Sequence, residues 1–180
     1  MREPSVILNT NALHRALARM AHEIAERNED SQEVVLVGIP RGGKHLTTRL
    51  AKLLEEIWKH PVPTGSIDVS MHRDDLEHQP APEVHSTHLP GDMSGRTVVL
   101  ADDVLFSGRT VRAALDALHD FGRPRRIQLA VLVDRGHREL PIKADFVGKN
   151  LPTSRQERVE VRFQEDEGED AVYLHRKKSS

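Results

Sequence analysis

Cysteine is missing from all 180 residues of this chain, which rules out disulfides and thiolate metal sites and agrees with a reducing, cytoplasmic compartment. Aromatic residues are nearly as scarce, at 3%, so the core must be aliphatic. No apolar run approaches the length of a membrane span, and the opening MREPSVILNT has no apolar stretch of the kind an export signal needs. The expectation is a cytoplasmic protein with no membrane partner. Charge of one sign is also lacking. A formal net charge of −2 argues against a dedicated nucleic-acid binder and confines any RNA contact to a local patch. The hydrophobic share of 37% and charged share of 30% are those of a globular domain, and the length suffices for one, spanning 1–180.

What is present is organised around Thr97 to Thr110, TVVLADDVLFSGRT. Val98 to Ala101 have the bulk of a strand buried on both faces of a parallel sheet, and they run into two carboxylates, Asp102 and Asp103. After Val104-Leu105-Phe106 come Ser107, Gly108, Arg109 and Thr110, and then a helical pattern from Val111 to Phe121. In an open α/β sheet, ligands sit beyond the carboxyl ends of the strands, where the acids would face them. The turn would offer backbone N–H groups, hydroxyls and the positive end of a helix to an anion. Acids for a diol or metal and a turn for a phosphate together describe a site for a phosphorylated ribose.

Two further aliphatic runs, Val34–Val37 and Ile127–Val133, are each followed by a helix or a polar loop, which predicts an α/β fold with a parallel sheet. A helix is expected over 9–27, capped by Asn9, Thr10 or Asn11, with Leu13, Leu17, Met20 and Ile24 on one face. Arg15, Arg19 and His22 repeat on the other face, as either a solvated surface or a phosphate-contacting one. The first run leads into Gly38-Ile39-Pro40-Arg41-Gly42-Gly43, two glycines beside an arginine before a helix, which suits a closely approached anion. Gly38 to His45 matches a P-loop except at its last position. His45 stands there in place of the Mg²⁺-binding hydroxyl, so the match is read as coincidence. Ile67–Met71 and Glu83–Leu89 can form strands flanking a polar, proline-containing segment that is either an exposed loop or a lid.

The acid-pair run resembles the 5-phosphoribosyl-1-pyrophosphate (PRPP) signature of type I phosphoribosyltransferases. Asp134 to Ser154, DRGHRELPIKADFVGKNLPTS, taken with that run, with HRDDL and with the first helix, resembles the PyrR family of pyrimidine-operon attenuation regulators. The resemblance implies a type I phosphoribosyltransferase fold: a central, mostly parallel sheet flanked by helices, a small hood built mainly from 135–180, and a lid hairpin at about 68–88. It implies two activities. One is transfer of the phosphoribosyl group of PRPP to uracil, giving UMP and pyrophosphate with Mg²⁺. The other is binding of the leader mRNA of pyrimidine genes in response to UMP or UTP, in a homodimer or a dimer of dimers.

Position by position, the resemblance assigns Asp102 and Asp103 to the ribose hydroxyls and the Mg²⁺. It assigns Val104 to Thr110 to the 5′-phosphate, Arg41 and Gly42 to the pyrophosphate, and Arg73 on the lid to the leaving group. Asp134, Phe146 and Val147 would meet the base, Phe146 either stacking on it or filling the core. Arg15, Arg19, His22, His137, Arg138, Lys143 and Lys149 would form the RNA surface. Two alternatives stay open: a purine or xanthine phosphoribosyltransferase, suggested by Arg41-Gly42-Gly43, and a nucleotide-sensing RNA regulator with weak catalysis.

Overall fold

Val34–Gly38 (β2) is buried at every position, and the chemistry-bearing Thr97–Leu105 (β4) is buried along its first six residues. Such strands need cover on both faces. They receive it in a five-stranded, all-parallel sheet ordered β3-β2-β4-β5-β6, completed by Thr64–Ser66 (β3), Arg126–Asp134 (β5) and Phe146–Asn150 (β6). The computed structural model describes residues 3–72 and 85–176.

One face of the sheet is covered by Thr10–Arg27 (α1) and Gly42–Trp58 (α2), the other by Arg109–Leu118 (α3). Helix α1 follows its sequence pattern closely: the Asn9 side chain accepts from Ala12 N–H at 2.9 Å, and Leu13, Leu17, Met20 and Ile24 are buried. No helix among the described residues is long and apolar enough to cross a membrane.

A second, antiparallel sheet of three strands is ordered β1-β8-β7, from Ser5–Leu8 (β1), Ala171–His175 (β8) and Arg158–Arg162 (β7). A short helix, Gln164–Glu167 (α4), lies between β7 and β8. Two expectations change here. The hood draws its first strand from the N-terminus, and Phe146–Asn150, expected in the hood, is the fifth strand of the main sheet because it pairs with β5. A cluster around buried Asp170 fastens the two sheets: Arg49 of α2 bonds it through both terminal nitrogens at 2.9 and 2.6 Å, and the exposed His14 of α1 reaches the same carboxylate at 2.9 Å. Burial alone would raise the Asp170 carboxyl, but hydrogen bonds from Arg49, Gln164 N–H and His14 bring it down to about 2.

The strand expected at Ile67–Met71 is also displaced. Ile67 N–H bonds Gly38 O at 3.0 Å, and then Asp68 accepts from both the N–H and the hydroxyl of Ser70, at 3.0 and 2.7 Å. That side-chain capture bends the chain into a single turn at Ser70–His72. Of the expected return strand, the described part forms one antiparallel bridge, His88 to Ser66. The middle of the expected lid, with Arg73, lies outside the described residues.

Candidate active site

Asp102 and Asp103 sit near the carboxyl end of β4, inside the strand rather than beyond it, because pairing with β5 continues to Leu105 opposite Asp134. Asp102 is 7% exposed. One oxygen of Asp102 accepts from Asp103 N–H and one oxygen of Asp103 from Val104 N–H, both at 2.9 Å, which limits the rotation of both carboxylates. The strand then turns through Phe106-Ser107-Gly108 into α3. Gly108 precedes the helix with φ +93°, a conformation that strains any L side chain. The Ser107 hydroxyl accepts from Arg109 N–H at 3.3 Å. Every residue from Val104 to Val111 lines a cavity of about 330 Å³, with Asp102 and Glu139 closing its sides.

The second loop meets the first in space. Ile39 N–H bonds Ala101 O at 2.9 Å, and a Cβ on Gly43 would stand 2.3 Å from that same carbonyl oxygen. A Cβ on Gly42 would stand 2.5 Å from an Asp103 carboxylate oxygen. These glycines let the N-terminus of α2, with exposed Arg41 just before it, press against the acid pair. His45, the residue that spoiled the P-loop match, turns away to Asp166 at 2.6 Å and packs its ring on Phe163.

The expected base and RNA contacts fare unevenly. Phe146 is 2% exposed in the core on the α1 face, with the Arg27 guanidinium 5.6 Å from its ring centre, so it has no face open to a base. It is a core residue. Val147 is half-buried in β6, with its carbonyl accepting from Arg19 at 3.0 Å. Asp134 is engaged on both oxygens, by Gly136 N–H at 3.0 Å and by Arg138 at 2.5 Å, and it braces the loop after β5.

Arg138 also donates to Phe106 O at 2.8 Å and to Ile142 O at 2.9 Å. It props the phosphate turn from behind and is not a surface cation. His137 is directed to Thr153 O at 2.5 Å. Arg19 bonds Gly148 O at 2.6 Å and lies 3.3 Å from Glu23, holding α1 to β6 with its guanidinium half exposed. Arg15, His22, Lys143 and Lys149 are exposed.

The sequence reading passed over Arg135 and Glu139. Arg135 is buried with its guanidinium carbon over the Phe106 ring, 4.2 Å from its centre, and it donates to Thr153 Oγ1 at 3.2 Å and Ser154 O at 2.9 Å. Its sequence signals are its place directly after the last residue of a strand and inside the Asp134–Ser154 stretch that carries the resemblance. A larger, mostly apolar cavity of about 720 Å³ lies between α1 and α2. It holds neither the acid pair nor the phosphate turn, and we assign the chemistry to the smaller one.

The family model for the phosphoribosyl transferase domain matches residues 5–166. The bifunctional protein PyrR of Roseiflexus sp. is 61% identical over 172 residues, 94% of each chain. The chain belongs to the PyrR family. The bifunctional protein PyrR of Thermus aquaticus is 52% identical, with both chains covered in full. Among solved structures, a hypoxanthine phosphoribosyltransferase of Trypanosoma cruzi superposes with TM-score 0.74 at 18% identity, covering 96% of this chain and 91% of that one. At that identity the likeness is one of fold. This PyrR protein thus has the type I phosphoribosyltransferase architecture, and the crevice between β4 and α3 carries Asp102 and the turn together.

Proposed function

We propose that this PyrR protein transfers the phosphoribosyl group of PRPP to uracil, and that it binds the leader RNA of pyrimidine genes when UMP or UTP occupies the same site. One observation carries the reading: Asp102 and the phosphate turn line one cavity, and the α2 glycine loop packs on the neighbouring Asp103, in a chain 61% identical to a bifunctional PyrR.

The chemistry follows from charge. Phosphoribosyl transfer builds positive charge on the ribose and negative charge on the departing pyrophosphate, so the protein must place groups and stabilise charge rather than supply a nucleophile. Asp102 and Asp103 hold the ribose hydroxyls and face the cationic ring. The backbone and hydroxyls from Ser107 to Thr110 hold the 5′-phosphate at the start of α3. Arg41, Arg73 and the start of α2 neutralise the leaving pyrophosphate. With Phe146 in the core, the pyrimidine lies beyond the ends of β5 and β6, between residues 134–136 and Thr153–Ser154, which Arg135 ties together. Backbone groups there can read its edge.

No group of three or more His, Cys, Asp or Glu suited to a metal occurs among the described residues. Two hard carboxylates side by side fit an Mg²⁺ held mostly by oxygens of PRPP, and that ion would neutralise pyrophosphate charge when bound. The test is to offer uracil, hypoxanthine, guanine and xanthine in turn with PRPP and Mg²⁺. Consumption of uracil alone is expected, and consumption of a purine with uracil untouched would overturn the assignment.

A further inference from the structure

Glu139 is out of place in a cavity built for a dianion. Its carboxylate lines the same 330 Å³ space as the phosphate turn, accepting from Arg109 Nε at 2.9 Å and lying 4.0 Å from Arg155 Nη1. A phosphate arriving at Ser107–Thr110 meets this negative charge on an arginine of its own turn. Two anions sharing one guanidinium inside a half-enclosed cavity repel, and one must give way.

The backbone of Glu139 is also bonded to the turn. Glu139 and Leu140 N–H groups both donate to Ser107 O, at 2.9 and 3.2 Å, and Arg138 donates to Phe106 O. Ile142 and Leu140 side chains pack beside Gly108, where a Cβ would come within 3.3 and 3.6 Å of them. Residues 138–142 and 106–109 therefore form one hydrogen-bonded unit, and exposed Lys143 follows directly from it.

We propose that Glu139 is an internal competitor for the phosphate. With the cavity empty its carboxylate holds Arg109; when a nucleotide phosphate enters, Glu139 is expelled, and its displacement moves the 137–143 segment that presents Lys143 to RNA. This deepens the reading above, on which its RNA half rests, by naming how occupancy of the site would be reported to the RNA surface.

Glu139→Gln keeps an acceptor for Arg109 and removes the charge. Calorimetric titration should show UMP binding the variant about tenfold more tightly than the wild type, the loss of one partly screened like-charge contact, with uridine affinity unchanged. Unchanged or weaker UMP binding, or an equal gain for uridine, would overturn the competitor. In the same samples, leader-RNA affinity is measured with and without UMP. The wild type should show a UMP-dependent ratio, and the variant should bind RNA more tightly without UMP and show a ratio nearer one. A variant ratio equal to the wild type's would refute the relay while leaving the competitor to the UMP data. A wild-type ratio of one would instead overturn the RNA-regulator reading and the relay with it, and the UMP and uridine affinities would still decide the competitor.

Discussion

Asp102 and Asp103 each accept from the next backbone N–H, which keeps both carboxylates from rotating freely at the end of β4. Replacing either with Asn keeps the shape and removes the charge facing the developing cation. We expect kcat for UMP formation to fall by roughly two to three orders of magnitude, the scale of losing one preorganised electrostatic group, with the fold unchanged by circular dichroism. Wild-type turnover in the Asp102→Asn, Asp103→Asn double variant would reject both roles. Gly42 makes a separate prediction: an alanine methyl would stand 2.5 Å from Asp103. Gly42→Ala should therefore raise KM for PRPP about tenfold or more while shifting the melting temperature little, since the loop lies at the crevice and outside the core. The acid pair and the glycine loop were legible in the sequence because short loops at strand ends carry their chemistry in consecutive residues. Arg135 and Glu139 were not, because one matters by lying on Phe106 and the other by reaching Arg109 thirty residues away, contacts no local pattern encodes.

At the scale of elements, local chemistry again separates what could be read from what could not. Helix α1 carries its own cap and its own periodicity, and it starts and stops within a residue of the pattern. Strand β1 pairs with β8, more than 160 residues away in sequence, and nothing near Ser5 announces that partner. Phe146 stayed open between base and core for the same reason: whether FVGKN joins a hood or a main sheet depends on β5, and its burial follows from that choice. The link between the sheets also predicts a pH dependence. The Asp170 carboxyl is lowered from its ordinary value to about 2, so the stability it contributes is present above the ordinary carboxylate range and is lost as pH falls through about 2. Asp170→Asn should cost about 2 kcal/mol in urea unfolding at pH 7, by leaving Arg49 short of a buried partner. That difference should shrink toward zero as the pH approaches 2, and a gap independent of pH would contradict the pairing.

For the whole molecule, a net charge of −2 means that RNA is not held by bulk attraction. With His137 and Arg138 directed inward, the exposed candidates are Arg15, His22, Lys143 and Lys149, beside half-exposed Arg19. About four phosphate contacts to single-stranded RNA would weaken binding roughly fiftyfold between about 50 and 200 mM salt, which filter binding of leader RNA in the presence of UMP can measure. A flat salt response would remove this surface from the account. Every part of the reading depends on one crevice, between the end of β4 and the start of α3. A crystal structure with UMP tests that crevice most directly. The account predicts the phosphate within hydrogen-bond distance of the N–H groups of residues 107–110 and the ribose hydroxyls on Asp102 and Asp103. A nucleotide found at the 38–45 turn alone, with the β4–α3 crevice empty, would contradict it.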